Sequence, residues 1–182
     1  MEKSSNKRNI ILGITGSAAA YKACELARLF VKGNFSVTAL LTENAARLVT
    51  PLQLSTLTGN EAYTDIWQRD SYEMGHISLK DKADLLLIAP ATANSIAKCA
   101  HGIADDLLST TFLSVVCPVL IAPAMNPNMW NNPATRDNVD ILRKRGIHFC
   151  GPDNGVVACG DTGEGKMSTV EDIYEAAAAL VR

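Results

Sequence analysis

The sequence predicts a doubly wound α/β domain, a parallel sheet covered by helices on both faces. Three observations carry this reading. Short continuous apolar runs alternate with helical patterns along the whole chain, and several of these runs stop at a glycine or a proline. The chain's 182 residues, 47% hydrophobic and 20% charged, suit one domain with one sizeable core.

Residues 9–15 (NIILGIT) read as the first strand, a run apolar enough to be buried on both faces. A helix follows, with Ala20, Cys24, Ala27 and Val31 on one face and Lys22, Glu25, Arg28 and Lys32 on the other. Gly33-Asn34 stops it. Residues 36–41 (SVTALL) form the second strand, 85–89 (LLLIA) the third, stopped by Pro90, and 119–122 (VLIA) the fourth, stopped by Pro123. Residues 135–145 are an amphipathic helix closed by Gly146, and 148–150 a last short strand. Ser168-Thr169-Val170-Glu171 has capping-box spacing and opens a terminal helix to Arg182. Residues 1–8 are a polar tail and 9–182 a single Rossmann-like domain without linker or repeat. The stretches 65–82 and 151–167 lack periodicity, and loops of that length usually have a use.

A net charge of −2 without a Lys/Arg run argues against nucleic acid or an anionic membrane as partner. The apolar stretch from Ile10 to Ile14 is too short for a signal-peptide core or a bilayer span, so a cytoplasmic location is expected. Cys24, Cys99, Cys117, Cys150 and Cys159 show no CxxC pair and no metal-like spacing with the histidines, which argues for reduced thiols and no metal site.

Right-handed crossovers place Gly16-Ser17, Thr42-Glu43, residues 90–95 and residues 123–130 along one edge of the sheet. The turn Gly13-Ile14-Thr15-Gly16-Ser17 has two equal readings. It is either an anion site made by backbone N–H groups at a helix start, or a tight turn needing glycine for sterics alone. It is neither GxGxxG nor GxxxxGK[ST], so dinucleotide and P-loop readings lose support. Glu43, placed to serve a ribose, leaves a nicotinamide enzyme as the weaker alternative. A monophosphate such as flavin mononucleotide (FMN) needs only one anion site.

Pro90-Ala91-Thr92-Ala93-Asn94-Ser95 offers hydroxyl and amide groups at a strand end, and also reads simply as a helix capped by Thr92 or Asn94. Residues 123–130 (PAMNPNMW) are harder to explain by packing. An amide among large soft apolar groups suits a pocket that orients a carboxylate or amide against a flat ring.

These two segments resemble the signature motifs of the homo-oligomeric flavin-containing cysteine decarboxylases. The opening GITGSAAAYK, the middle MGHI and the late ACGDTGEGKM are similar to the same family in the same order, from about residue 9 to the C-terminus. The resemblance implies FMN as cofactor, contacted by Gly16, Ser17, Thr42, Thr92, Asn94 and Ser95. It implies that Asn126 binds the substrate carboxylate, with Ala124 and Met129 lining the same pocket. His76, which on sequence alone reads as a surface histidine, is by resemblance the base beside the flavin. His101 and His148 match no motif and read as structural. A polar, glycine-rich loop is a poor place for a packing thiol, and by resemblance Cys159 sits on a flap over the substrate and donates a proton.

The branch of the family with this cysteine acts on 4'-phosphopantothenoylcysteine in coenzyme A biosynthesis. There the resemblance implies oxidation of the cysteine moiety to a thioaldehyde, loss of CO2 to an enethiol, and re-reduction with a proton from Cys159. Lantibiotic-type peptidyl-cysteine decarboxylases stop at the enethiol and lack the flap cysteine. A flavin prenyltransferase shares the fold but would not be expected to carry MGHI together with PAMNxxMW, regulatory relatives usually carry acidic tails, and an electron-transfer flavoprotein would not need His76, Asn126 and Cys159 together. The resemblance further implies a homotrimer, assembled into a dodecamer in some members, and in many relatives fusion to a phosphopantothenoylcysteine synthetase domain.

Overall fold

A computed structural model of the chain describes residues 7–65 and 83–181. Its central sheet has five parallel strands in the order β2-β1-β3-β4-β5. These are β1 Asn9–Ile14, β2 Ser36–Leu41, β3 Leu85–Ala91, β4 Val119–Pro123 and β5 His148–Phe149. The helices are α1 Lys22–Lys32, α2 Glu43–Ala46, α3 Pro51–Thr58, α4 Ala93–His101, α5 Leu107–Ser114, α6 Pro127–Asn131, α7 Pro133–Lys144 and α8 Val170–Leu180. A separate antiparallel hairpin pairs β6 Asp153–Val156 with β7 Thr162–Lys166.

The period-2 pleat splits the core in two. Ile10, Leu12 and Ile14 pack with Leu26 and Phe30 of α1 and Ile173 of α8, while Ile11 packs on the other face with Ile96 of α4, Leu108 of α5 and Leu142 of α7. Helices on both faces are what the continuous apolar strands require. The strand order reverses between β1 and β3, and Thr15 staples that point. Fully buried, its Oγ1 donates to the Pro90 carbonyl at 2.8 Å and accepts from the Thr92 N–H at 2.9 Å.

Several elements differ from the sequence reading. The strand β3 runs through Pro90 to Ala91, because the missing proline N–H falls at a register shift against β4 and its carbonyl still accepts from Thr15. Pro123 likewise ends β4 from inside the strand. The buried face of α1 is Ala23, Leu26, Ala27 and Phe30, with Cys24 and Val31 only half-buried. Residues Ala18–Tyr21 form a 3₁₀ turn, so a 3.6-residue period counted from Ala20 starts in the wrong phase. The last helix is capped by Thr169, one residue later than expected, while the Ser168 hydroxyl donates to Asp153 at 2.7 Å. Helix α7 starts at Pro133 behind an Asn132 cap, two residues before the expected start. Helices α3 and α5 stand where no element was anticipated, and the stretch 151–167 holds the hairpin rather than a loop.

Candidate ligand cavity

A cavity of about 540 Å³ opens at the carboxyl ends of β1, β3 and β4. The sheet edge contributes Gly16, Ser17, Thr92, Ala124 and Asn126, with Met129 from α6. The hairpin faces them with residues 156–159 and 165–167. Its size is that of a small-molecule site, and the strand-order reversal beside it is where open α/β sheets take ligands.

The first turn is built by Ser17, which caps the 3₁₀ turn. Its Oγ accepts from the Ala19 N–H at 3.3 Å and donates to the Ala124 carbonyl at 3.1 Å, tying the exits of β1 and β4 together. A Cβ on Gly16 would fall 2.5 Å from Asn44 Cβ, so the glycine has a steric reason. Both readings of the turn therefore have support, because among the described residues the N–H groups of Gly16 and Ala18 have no protein acceptor. Lys22 and Lys166 line the cavity, and the Asp161 carboxylate beside it already accepts from Asn126 and Cys159. The two ammonium groups suit the site to an anion.

Asn126 caps α6: its Oδ1 accepts the Asn128 N–H at 2.8 Å. That bond turns Nδ2 toward the hairpin, where it donates to Cys159 Sγ at 3.2 Å and to Asp161 Oδ2 at 2.5 Å. The Cys159 thiol in turn donates to the same Asp161 oxygen at 3.4 Å. A tight tip presents the two side chains together, with Val157 N–H bonded to the Asp161 carbonyl and Gly160 N–H to the Val157 carbonyl, both at 2.9 Å. The hairpin is seated by the Met125 N–H, which donates to the Gly165 carbonyl at 3.0 Å. A Cβ on Gly165 would collide with the Met125 carbonyl, and one on Gly163 would lie 2.9 Å from Pro127 Cβ.

The remaining expected positions divide. Thr92 lines the cavity and also caps α4, accepting the Ser95 N–H at 3.3 Å. Ser95 is buried beside Lys98, Cys99 and Asp106, and Asn94 is exposed. Thr42 caps α2 through the Ala45 N–H at 3.3 Å and is not part of the lining. His76 lies outside the described residues. Trp130 is only 1% exposed and belongs to the core under Arg136, not to the pocket wall. Sequence reasoning missed Lys22, Lys166 and Asp161 as members of the site. Lys22 follows Ser17 by five residues and Lys166 lies in the ACGDTGEGKM motif, but a charged residue in a polar stretch reads as solvated.

The thiols divide cleanly. Burial pushes Cys99 up to about 12 and raises Cys24, Cys117 and Cys150. Cys159 is the exposed one. Among the described residues no group of His, Cys, Asp or Glu is placed to hold a metal, and no helix is long and apolar enough to cross a membrane.

Fold and cavity together define a doubly wound α/β protein with a cavity at its switch point that suits an anionic ligand. The chain belongs to the flavoprotein family, which it matches over residues 1–182. It is 43% identical over 173 residues to the coenzyme A biosynthesis bifunctional protein CoaBC of Bacillus subtilis, covering 94% of this chain and 43% of that protein. It is 37% identical over 171 residues to a protein of Streptococcus mutans named probable phosphopantothenoylcysteine decarboxylase, covering 92% and 96% of the two. The chain thus spans less than half the length of the bifunctional relative and nearly all of the other. Among solved structures it resembles a PPC decarboxylase mutant complexed with pantothenoylaminoethenethiol, with TM-score 0.87, 33% identity and coverage of 95% and 97%. It also resembles the FMN-dependent cysteine decarboxylase SpaF, with TM-score 0.81, 32% identity and coverage of 95% and 98%.

Proposed function

We propose that this chain is an FMN-dependent phosphopantothenoylcysteine decarboxylase, converting 4'-phosphopantothenoylcysteine to 4'-phosphopantetheine and CO2 in coenzyme A biosynthesis. The observation that carries the reading is one cavity that joins an anion-ready turn, a fixed amide donor and an exposed thiol. The residues fit FMN: the N–H groups of Gly16 and Ala18, without an acceptor among the described residues, suit its phosphate, and Ser17 and Thr92 border the same space. When bound, FMN supplies the hydride acceptor and donor for the cysteine moiety.

The chain's own residues do the rest. Asn126 offers Nδ2 to the substrate carboxylate, and because Oδ1 is held by the α6 backbone the amide cannot turn its acceptor to the anion. Ala124 and Met129 shape the pocket around it. His76 takes the thiol proton during oxidation. Loss of CO2 leaves an enethiol, and the final reduction adds a hydride and a proton across its double bond, with Cys159 supplying the proton. Lys22 and Lys166 give the cavity the positive character that a phosphorylated substrate requires. Assembly as a homotrimer, a cytoplasmic location and association with a synthetase domain belong to the same reading; the Bacillus subtilis relative, of which this chain covers 43%, is named a bifunctional protein.

Incubation of FMN-loaded protein with 4'-phosphopantothenoylcysteine, followed by CO2 release and mass spectrometry, tests it. CO2 with phosphopantetheine is expected. An enethiol as sole product would move the chain to the peptidyl-cysteine type of chemistry, and absence of CO2 would sink the decarboxylase reading.

A further inference from the structure

We infer that Asp161 is an internal stand-in for the substrate carboxylate, holding the donor of Asn126 until substrate arrives and taking it back when CO2 leaves. The inference rests on the function proposed above. Asn126 has one usable donor group, because its Oδ1 is committed to the Asn128 N–H. That group, Nδ2, points at Asp161 Oδ2 and Cys159 Sγ. A substrate carboxylate bound to Asn126 is chemically the same partner as the Asp161 side chain, so the two compete for one amide.

Competition gives the hairpin a cycle. In the structure Asp161 and Cys159 rest against Asn126 and are joined to each other through the thiol hydrogen. Substrate displaces the Asp161 carboxylate, and the tip moves with it, since Asp161 and Cys159 share the turn closed by the Val157 and Gly160 N–H groups. Decarboxylation breaks the bond from the substrate's α-carbon to its carboxylate, whose electron pair stays on the substrate, and the group departs as neutral CO2. Asn126 is then free, Asp161 returns, and the Cys159 thiol is brought back beside the site only after CO2 has gone. Asp161 is thus a positioning residue that times proton delivery.

The test uses the FMN-loaded chain as wild type, Asp161→Ala and Asp161→Asn. One ligand is the serine analogue of 4'-phosphopantothenoylcysteine, with a hydroxyl in place of the thiol. The other is the same molecule without its carboxylate. By titration calorimetry Asp161→Ala is expected to bind the carboxylated ligand about threefold to tenfold more tightly, with no gain for the other, as loss of one exposed charged competitor implies. In single turnovers with true substrate, enethiol per CO2 released rises in the variant because Cys159 is no longer returned. Asp161→Asn shifts in the same direction by less, and decides the matter if the alanine variant does not fold. A merely structural role weakens both ligands together. Carboxylate binding that fails to tighten, or enethiol that fails to build up, overturns the inference. Failure of the decarboxylase reading shows separately, as absence of CO2 from wild type.

Discussion

The sheet edge and the hairpin face each other across one cavity, yet they are held by different means. Behind the edge stand Thr15, Ile14, Ala89 and Ala122, all fully buried, and the Thr15 staple ties β1 to β3. In the hairpin only Gly165 is buried, and its contacts to the rest of the molecule include the Met125–Gly165 backbone bond, the Asn126 contacts and the Ser168–Asp153 bond. The edge is placed by formation of the core and lasts as long as the fold does. The hairpin rests on a few local bonds and belongs to the part of a protein that opens most readily. Substitutions on the two walls should therefore be read by different assays.

Asn126 serves both walls, and its loss should be the most severe. Asn126→Ala is expected to lower kcat/KM by about a thousandfold, since it removes the carboxylate donor and the hairpin's partner together. A loss under about tenfold would break the proposed division of labour. Cys159→Ser should cut phosphopantetheine formation by about a hundredfold while enethiol accumulates, in keeping with loss of a general acid. An unchanged product ratio would refute its proton-donor role. Thr15→Val tests the edge: two buried hydrogen bonds go and stability should fall by about 2 kcal/mol, seen as a lower urea midpoint. Gly165→Ala tests the other wall, with roughly a tenfold loss of activity and little change in the midpoint. Equal destabilisation by these two would erase the distinction between the walls.

The smallest effect is on the acid limb. Burial raises Asp106, but hydrogen bonds from Lys98 and Ser109 outweigh it and hold the carboxyl below its ordinary 3.8. A depressed carboxyl stabilises the fold above its unfolded pKa, and the gain is lost as pH falls through the folded value. Asp106→Asn should therefore weaken the protein at neutral pH, with a deficit that shrinks as pH falls below 3.8, as urea midpoints at pH 7 and at successively lower pH would show.

Most of the edge was legible in the sequence because buried parallel strands announce themselves as unbroken apolar runs. Gly16, Ser17, Thr92, Ala124 and Asn126 could be placed at strand ends without a structure, and they do meet there. The hairpin was not legible as strands. Burial alternates along both strands, but the inward positions are Asp153, Gly155, Gly163 and Gly165, so no apolar period-2 pattern exists to be read. Asp161 escaped for another reason: its partner Asn126 is 35 residues away, and only the fold shows that they touch. Trp130 misled in the opposite sense, a pocket-like residue by company and a core residue by position.

The seat of β7 has a consequence for how freely this region can vary. Gly163 and Gly165 lie against Pro127 and the Met125 carbonyl, while Thr162 and Glu164 alternate outward and Lys166 lines the cavity. A library randomised across β7 and selected for function should return glycine at 163 and 165 and accept many residues at 162 and 164. The hairpin can then be rewritten on its outer face, as an engineer would wish, without disturbing how it sits over the cavity.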